Sequence, residues 1–158
     1  DYQVRVSEVN GTVRMVTEVT KKGYCRVHLD EAAQVQVTFA APAKFVYANP
    51  RVRADSGKTA IVRGPLVYCL EEIDNGENLP AIFVDTDVPL TEEPSNLFGG
   101  IVTVKAKGKK IVESSVSDSL YGGEKPELQD VDLTMIPYPY WNNRGEGEML
   151  VWMKELHP

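Results

Sequence analysis

The sequence of 158 residues is poor in the side chains that most often build metal sites, with only two cysteines and two histidines. A structural zinc ion usually takes four such ligands, and a Cys-His nucleophile pair needs a third, orienting group. Cys25 and Cys69 each lie in an apolar run, which favours buried free thiols over a disulfide. We therefore expect no metal ion and no cofactor in this chain.

Positive charge and long apolar runs are also scarce. The chain has 17 Lys and Arg against 23 Asp and Glu, which gives a formal net charge of -6. Phosphates and anionic lipids are bound by clustered Lys and Arg, and the one basic cluster, at 105–110, is short. No apolar stretch approaches the roughly 18 residues of a membrane span, and the first residues lack a signal-peptide pattern. We expect neither nucleic acid nor a membrane as a partner.

The sequence instead contains many short runs in which apolar and polar residues alternate, separated every 8 to 12 residues by Gly, Pro, Asn or Asp. This spacing is typical of all-β proteins. No stretch keeps helical spacing for three turns, and residues 126–129 allow at most one turn. The pattern predicts a jelly-roll-like β-sandwich fold in two packed units. The predicted strands are 2–6, 12–19, 24–29, 34–39, 44–48, 59–62, 66–70, 81–84, 101–104, 110–114, 131–136 and 149–153.

Turn signals divide these runs. Asn10-Gly11 and Asn75-Gly76 predict tight hairpins, because both residue types tolerate the positive φ that such turns need. Arg63-Gly64-Pro65 interrupts a strand-like run and predicts a bulge or a crossing between sheets. The polar stretch 105–130 predicts a long loop.

A domain boundary is predicted near Asn49-Pro50, where a strand-like run ends. Residues 1–48 would then be the closing strands of a first β-sandwich. Residues 49–158 would form a second and more complete sandwich.

Charged residues suggest two groupings. Arg53, Asp55 and Arg63 are expected to form a structural network, since guanidinium groups bridge carboxylates and carbonyl oxygens. Glycoside hydrolysis usually needs two carboxylates about 5 to 9 Å apart across the scissile bond. Neighbours on a strand face opposite sides, so only Glu72 and Asp74 could act together. A solvated strand end or an interdomain salt bridge is the competing interpretation of these carboxylates.

The stretch that most resembles a binding surface is Tyr138, Tyr140 and Trp141 followed by Asn143 and Arg144. Exposed aromatic rings flanked by amides and an arginine are what a sugar-binding surface requires. The same rings also suit packing on the core or on another domain, because aromatic side chains bury large areas. We interpret these residues as an interdomain or sugar contact.

Two segments resemble the C-terminal, non-catalytic region of glycoside hydrolase family 127, the β-L-arabinofuranosidase-like enzymes. The first motif is 51–75, RVRADSGKTAIVRGPLVYCLEEIDN, and the second motif is 133–152, LTMIPYPYWNNRGEGEMLVW. The first fifty residues resemble the family more weakly, and Asp30-Glu31-Ala32-Ala33 stands where relatives usually have a Trp followed by Gly-Asp. The resemblance therefore covers nearly the whole chain and is most specific in the two motifs.

This resemblance implies a function for the parent protein. Relatives are bacterial enzymes with an N-terminal (α/α)6 barrel that cleaves terminal β-L-arabinofuranose from plant glycans, followed by β-sandwich domains. Their nucleophilic cysteine is held at a zinc site in the barrel, and neither Cys25 nor Cys69 matches that motif. The implied partners of this chain are its own missing catalytic domain, a second copy in a homodimer, and a plant glycan. The implied location is the cytoplasm or periplasm of a bacterium.

Three functions follow for the chain itself. The first is an accessory region that braces the barrel, shapes one side of its cleft or holds a dimer, without hydrolysing glycosides. The second is a carbohydrate-binding module that uses Tyr138, Tyr140, Trp141 and Arg144. The third is an independent enzyme that uses Glu72 and Asp74.

Overall fold

The computed structural model describes residues 2–16, 22–28, 32–115 and 119–157. They divide into two compact units, a first unit of residues 1–41 and a second unit of residues 42–158. Twelve strands, one single-turn α-helix and five short 3-10 helices make up the regular structure of the described residues. The all-β prediction is confirmed at the level of a mostly-β chain with two sheets.

The first unit is a three-stranded antiparallel sheet in the order β2-β1-β3. The strands are β1 (Tyr2–Glu8), β2 (Val13–Val16) and β3 (Ala32–Phe39). The predicted hairpin at Asn10-Gly11 is confirmed, with Gly11 at φ 85° between β1 and β2. The register places Val4 opposite Val37 and Val6 opposite Val35, so the apolar residues of β1 and β3 share one face.

The second unit contains a nine-stranded sheet in the order β11-β6-β10-β9-β7-β12-β5-β4, with β8 on β9. All pairs are antiparallel except β12 with β7. The strands are β4 (Ala43–Tyr47), β5 (Lys58–Arg63), β6 (Leu66–Glu71), β7 (Ile82–Val84), β8 (Thr91–Ser95), β9 (Ile101–Ile111), β10 (Leu128–Pro137), β11 (Met149–Leu150) and β12 (Met153–Glu155).

An additional pairing of β5 with β6 closes six of these strands into a circuit. The circuit runs β6-β10-β9-β7-β12-β5 and returns to β6. Closure gives each of these strands a partner on both sides and removes open edges. One apolar cluster forms the main core: Ile61, Tyr68, Leu70, Leu79, Ile82, Val84, Val104, Ala106, Leu133, Met135 and Met153.

Strand alternation explains which residues enter this core. On β9 and β10, Val104 and Leu133 point inward, while the intervening Lys107 and Asp132 face solvent and form an ion pair. Three lysines of the basic cluster, Lys105, Lys107 and Lys109, thus share one charged face of β9. Lys109 lies two residues further along the same face and pairs with Asp130 at 2.6 Å.

Several local predictions were wrong. Arg63-Gly64-Pro65 is neither a bulge nor a crossing but a two-residue hairpin, because Arg63 pairs directly with Leu66. Asn75-Gly76 ends a one-turn helix, α1 (Glu72–Asn75), rather than a hairpin. The polar stretch 105–130 is not one loop, because β9 continues to Ile111 and β10 begins at Leu128.

Strand boundaries differ in two further places. Residues 24–28 hold only an isolated bridge at Cys25, not the predicted strand, and the remainder of that prediction lies outside the described residues. Part of the predicted strand at 12–19 also lies outside them, beyond Val16. β8 was missed, because its Pro94 removes a backbone donor and argues against a strand interior.

The boundary predicted between residues 48 and 49 stays a prediction. The first strand of the second unit, β4, ends at Tyr47 and pairs along its length with β5. In the described part of the chain, no helix has the length and apolarity needed to cross a bilayer.

Candidate functional site

The ends of the two sequence motifs meet at one place in the second unit. The first motif ends where β6 passes into α1, which terminates at Gly76 with a φ of 74°. The second motif leaves β10 through a 3-10 turn, Tyr138–Tyr140, in which the amide of Trp141 donates to the carbonyl of Tyr138 at 3.0 Å. The candidate site is built from these two chain segments.

Arg144 forms the centre of this site. Its Nη1 donates to Asp74 Oδ1 at 3.0 Å, and its Nη2 donates to Asp74 Oδ2 and to Glu71 Oε2. The side chains of Arg144 and Glu71 are only 16% and 6% exposed, so solvent screens this pairing weakly. The hydrogen bonds from Arg144 to Asp74, reinforced by those to Glu71, raise the pKa of the guanidinium despite its burial. We call Glu71, Asp74 and Arg144 the Arg144 cluster.

The second carboxylate oxygen of Glu71 holds the backbone of the second motif. Glu71 Oε1 accepts a hydrogen bond from the amide of Asn142 at 2.9 Å. Asn142 has a φ of 63°, in the left-handed region that asparagine tolerates better than most residues. The Arg144 cluster therefore fixes both a side chain and a strained backbone position of the second motif.

Glu72 also bonds to the second motif, in a reciprocal pair with Glu148. The amide of Glu72 donates to the carbonyl of Glu148 at 3.0 Å, and the amide of Glu148 donates to Glu72 Oε2 at 2.8 Å. The Glu148 side chain accepts a hydrogen bond from the amide of Leu79 at 2.6 Å. The side-chain carboxylates of Glu72 and Glu148 thus each accept a hydrogen bond from a backbone amide.

Asn75 ties the same helix to the sheet. Its Nδ2 donates to the carbonyls of Glu71 and Thr134 at 2.8 and 2.9 Å, and its Oδ1 accepts from the amide of Thr134 at 2.9 Å. Asn75 was predicted only as a turn residue. In the structure it mimics a strand partner for Thr134 on β10.

The aromatic residues of the second motif divide into two roles. Tyr140 stacks on Phe98 with ring centroids 4.8 Å apart and an angle of 10°. Both rings pack against a second apolar cluster that contains Cys69 and Ile136. Phe98 has a φ of 51°, which is uncommon for a bulky residue, and the stack holds it there. Tyr140 is thus a packing residue.

Tyr138 and Trp141 form an exposed aromatic pair. They are 44% and 39% exposed, and their rings stack with centroids 6.2 Å apart at an angle of 21°. Asn143 supports this turn, because its Nδ2 donates to the carbonyls of Tyr140 and Trp141. The aromatic pair is therefore presented to solvent on a turn that the Arg144 cluster and Asn143 hold in place.

Arg53, Asp55 and Arg63 were predicted to form a structural network. In the structure, Arg63 and Asp55 each pair with another residue. Arg63 Nε donates to Glu92 Oε2 at 2.7 Å, and Glu92 Oε1 accepts from the amide of Ala43 at 2.7 Å. The hydrogen bond from Arg63 lowers the pKa of Glu92, and the bond from Ala43 adds to this effect. Asp55 pairs with Lys58 at 3.7 Å. Arg53 lies exposed in the 3-10 helix Arg53–Asp55.

The two cysteines, Cys25 and Cys69, are free thiols that differ in burial. Cys69 is buried, and its burial, aided by nearby Glu71, raises the pKa of the thiol to about 12. Cys25 is a half-buried free thiol. No three His, Cys, Asp or Glu side chains in the described ranges stand together as a metal-binding group.

Comparison with known proteins assigns a family to the region that contains this site. The glycoside hydrolase family 127 C-terminal domain matches residues 43–154, which include both motifs and the whole Arg144 cluster. This chain belongs to glycoside hydrolase family 127. The matched region begins at the first residue of β4, so the first unit lies outside the family's C-terminal domain.

Longer family 127 proteins share the sequence and the fold. A non-reducing end β-L-arabinofuranosidase of Bifidobacterium longum subsp. longum is 31% identical over 137 residues, which are 83% of this chain and 21% of that protein. A crystal structure of a family 127 β-L-arabinofuranosidase from Geobacillus stearothermophilus T6 is similar with a TM-score of 0.80 and 38% identity, over 98% of this chain and 24% of that one.

A third similar structure is a family 127 β-arabinofuranosidase, with a TM-score of 0.76 and 33% identity. It too is matched over 98% of this chain and 23% of its own. The family 127 chain described here thus spans about a fifth to a quarter of the length of these relatives.

Sequence reasoning missed several residues that build this family 127 site. Glu148 and Asn75 were not selected, although both lie within the two motifs. Glu92 and Phe98 lie between the motifs, and their partners Arg63 and Tyr140 are far away in sequence. One signal was available in the sequence, because acidic residues end the first motif and the second motif contains an arginine that could pair with them.

Proposed function

We propose that this chain is the non-catalytic C-terminal accessory region of a longer, β-L-arabinofuranosidase-like glycoside hydrolase that acts on arabinose-containing plant glycans. The observation that carries the proposal is the Arg144 cluster. It binds the carboxylate of Asp74, one member of the predicted Glu72–Asp74 pair, together with that of Glu71 to one buried guanidinium. Their geometry serves to join two chain segments.

The same geometry argues against glycoside hydrolysis by these residues. A retaining or inverting glycosidase needs one protonated and one ionised carboxyl group on opposite sides of a sugar. Glu71 and Asp74 instead both accept hydrogen bonds from the same nitrogen of Arg144 and therefore lie on one guanidinium, not on opposite sides of an open space. Glu72, which was predicted to act with Asp74, accepts a hydrogen bond from the backbone amide of Glu148.

The catalytic chemistry would then belong to the part of the parent that this chain lacks. The family resemblance implies an (α/α)6 barrel with a zinc-bound cysteine there. The described residues of this chain do not fit a zinc site, because the thiol of Cys69 is buried with a raised pKa and no three His, Cys, Asp or Glu side chains among them could hold a metal together. We therefore assign no zinc ligand and no catalytic step to this chain.

The proposed role is to brace the missing barrel or a dimer interface, with Tyr138 and Trp141 as the exposed interdomain contact and with Tyr140, Asn143 and Arg144 holding the turn that presents them. In the same proposal, the sheets belong to two jelly-roll-like sandwiches, the first ending near residue 48 and the second covering 49–158. The closed circuit of six strands supports a flattened two-layer arrangement in the second unit.

An activity assay tests the accessory role. The purified chain and the Geobacillus stearothermophilus enzyme are incubated with 4-nitrophenyl β-L-arabinofuranoside, zinc and a reducing agent. We expect turnover by the longer enzyme and none by this chain. Turnover by this chain would overturn the proposal.

A truncation tests the bracing function directly. The segment equivalent to residues 43–154 is removed from the Geobacillus enzyme, and the thermal midpoint and the kcat of the remainder are measured. We expect a lower midpoint or loss of folded protein, because a large covered surface becomes exposed. An unchanged midpoint and kcat would contradict bracing.

A carbohydrate-binding module is the second candidate, and the exposed stack of Tyr138 on Trp141 favours it. Affinity electrophoresis in a gel containing arabinan separates the two candidates. If the chain is a binding module, arabinan should retard it and Trp141→Ala should abolish the retardation. Tyr121→Ala is the control, because Tyr121 is an exposed aromatic residue (92%) outside the second motif. An accessory region that does not bind sugar predicts equal mobility with and without arabinan.

A further inference from the structure

The ladder between β9 and β10 stops before the end of either strand. Its last pair is Met135 with Val104, and within the described part of the chain the residues Ile101–Thr103 of β9 pair only with β8. Beyond Met135, β10 pairs with β6 as far as Pro137 opposite Tyr68. Pro137 has no backbone N-H and cannot donate to a ladder. The start of β9 is therefore separated from the end of β10.

A cleft of about 580 Å³ opens at this separation. Its walls are the β5–β6 hairpin, the turn between β8 and β9, the start of β9 and the 3-10 turn after β10. The volume lies within the range of roughly 300–1,000 Å³ that is typical of small-ligand sites. Six of its lining residues carry the argument: Arg63, Tyr68, Ser95, Asn96, Val102 and Tyr140.

Arg63 supplies hydrogen-bond donors to this cleft. Its Nε donates to Glu92, which also accepts from the amide of Ala43, so the guanidinium is held in position. Arginine has five N-H donors, and the bond to Glu92 uses one of them. Among the described residues that line the cleft, Arg63 alone has a charged side chain. Because Glu92 balances that charge, the wall offers directed donors with little net charge.

Two tyrosines that line the cleft are also fixed. Tyr68 Oη donates to the carbonyl of Val102 at 2.9 Å, which joins β6 to β9 across the separation. A phenol oxygen that donates one hydrogen bond can also accept one. Tyr140 is held by its stack on Phe98, with ring centroids 4.8 Å apart. The cleft thus contains a hydroxyl and an aromatic ring whose positions are set before any ligand binds.

The turn between β8 and β9 adds small polar groups and strained backbone. Ser95 ends β8, and the exposed Asn96 follows it, so a hydroxyl and an amide stand together on this wall. Phe98 has a φ of 51°, and the next two residues, Gly99 and Gly100, have φ values of 81° and 117°. Backbone in such conformations is concentrated at ligand-binding sites, where the surrounding structure holds it in place.

We propose that this cleft binds an uncharged saccharide. The ring of Tyr140 provides an apolar surface for the C-H groups of a sugar, and the guanidinium, amide and hydroxyl groups bond to its hydroxyls. The cleft is distinct from the exposed pair of Tyr138 and Trp141, neither of which lines it. The inference rests on the proposed function, since it takes the arabinose-containing glycans of the parent enzyme as the source of the saccharide.

A titration followed by nuclear magnetic resonance tests the site. Arabinotriose is added to this chain labelled with nitrogen-15, and the amide shifts are recorded. We expect saturable shifts at Asn96, Gly100 and Val102, which line the cleft, and none at Gly108, which lies towards the other end of β9. The absence of saturable shifts at the lining amides would overturn the inference. Tighter binding of trigalacturonate would overturn the assignment of an uncharged ligand.

Substitutions on the cleft wall sharpen the test. Arg63→Ala should raise the dissociation constant for arabinotriose about tenfold, because a hydrogen bond from a charged donor is lost. Asn96→Trp should abolish the saturable shifts, because the larger side chain fills the cleft. Glu124→Trp adds the same ring at an exposed position and is the control. Circular dichroism checks that each variant is folded, and unchanged affinity in both cleft variants would contradict the site.

One further variant separates this cleft from the exposed aromatic pair. Trp141→Ala should leave the dissociation constant for arabinotriose nearly unchanged, because Trp141 does not line the cleft. Loss of binding in Trp141→Ala but not in Asn96→Trp would assign the saccharide to the aromatic pair and overturn the inference. Absence of all saccharide binding would also overturn it and leave the accessory role intact. Glycoside turnover by this chain would instead overturn that role without altering where arabinotriose binds.

Discussion

In the second unit, six strands pair in a closed circuit around a large apolar cluster, whereas in the first unit three strands form an open sheet. The difference lies in where each unit finds partners for its backbone and its apolar side chains. Circuit strands such as β5 and β10 have neighbours on both sides. β3 has one neighbour among the described residues and exposes its apolar face.

This comparison separates two ways in which strand sequences become stable. Closure satisfies backbone hydrogen bonds inside the unit, and burial of the inward side chains supplies the main stabilising free energy. An open sheet of three strands is close to the smallest sheet that can be stable alone, and the first unit leaves part of its apolar face exposed. We therefore expect most of the stability of this chain to come from the second unit.

The largest expected effect comes from the Arg144 cluster, which tests whether the second unit depends on its core alone. Arg144→Ala leaves the buried carboxylate of Glu71 without its counter-charge, and breaking a buried pair in this way costs about 3–5 kcal/mol. Urea unfolding followed by tryptophan fluorescence measures it, since both tryptophans lie in the second unit. Arg53→Ala is the control, and a loss as small as that of the control would contradict the role of the cluster.

The next test compares the two apolar faces directly. Leu133→Ala removes a side chain that is 1% exposed in the closed circuit and should cost about 2–5 kcal/mol in unfolding free energy. Val37→Ala, at 47% exposure on β3, should cost less than about 0.5 kcal/mol. Both values come from urea unfolding followed by circular dichroism. Similar losses for the two variants would break the comparison.

A smaller effect is expected where two strands of the circuit approach closely. A Cβ added at Gly108 would lie 2.4 Å from the carbonyl oxygen of Phe83, so β7 and β9 would have to separate. Gly108→Ala should cost about 1–3 kcal/mol, measured by thermal unfolding. Gly123→Ala is the matched control, because nothing lies within 4 Å of its added Cβ. If Gly108→Ala unfolds at the same temperature as Gly123→Ala, β7 and β9 can separate without loss of stability, and the prediction is wrong.

The smallest effect is a dependence on pH at the edge of the second unit. Arg63 lowers the pKa of Glu92 in the folded state, so on acidification the unfolded state takes up the proton first. The stability that Glu92 contributes is complete above its ordinary pKa of about 4.3 and is lost as the pH falls through the lower folded value. The difference in unfolding free energy between this chain and Glu92→Gln should shrink over that window, by at most about 1 kcal/mol.

Unfolding of Glu92→Gln in urea at pH 7 and at successively lower pH measures that difference. Glu124→Gln, at an exposed position, is the control and should show no such change. A difference that grows as the pH falls would contradict the assigned direction of the Glu92 pKa.

The sequence predicted strand positions well where a short apolar run was bounded by turn residues. β1, β5, β6 and β10 each lie within two or three residues of the predicted bounds, although β5 and β6 bury consecutive residues and so lack the alternation of β1. It failed at β8, where Pro94 argues against a strand, and at 24–28, where apolar residues alternate without a strand forming. Local pattern cannot report whether a neighbouring strand is present to pair with.

The candidate site was predictable only in part. Arg144 and the aromatic residues were selected from their residue types, but their partners were not. Glu71 lies 73 residues from Arg144, and the bond between them depends on β6 pairing with both β10 and β11. Tyr138 and Tyr140 look equivalent in sequence, yet one is exposed and the other stacks on Phe98.

Residue order alone was sufficient to establish the mostly-β class, the scarcity of metal ligands and the two family motifs, because alternation and composition are local properties of the chain. Only the tertiary structure decided that the acidic end of the first motif bonds to the arginine of the second, and that six strands close into a circuit while β3 stays open. The physical reason is that ion pairs and strand pairs form between residues distant in sequence, and their geometry exists only after the chain has folded.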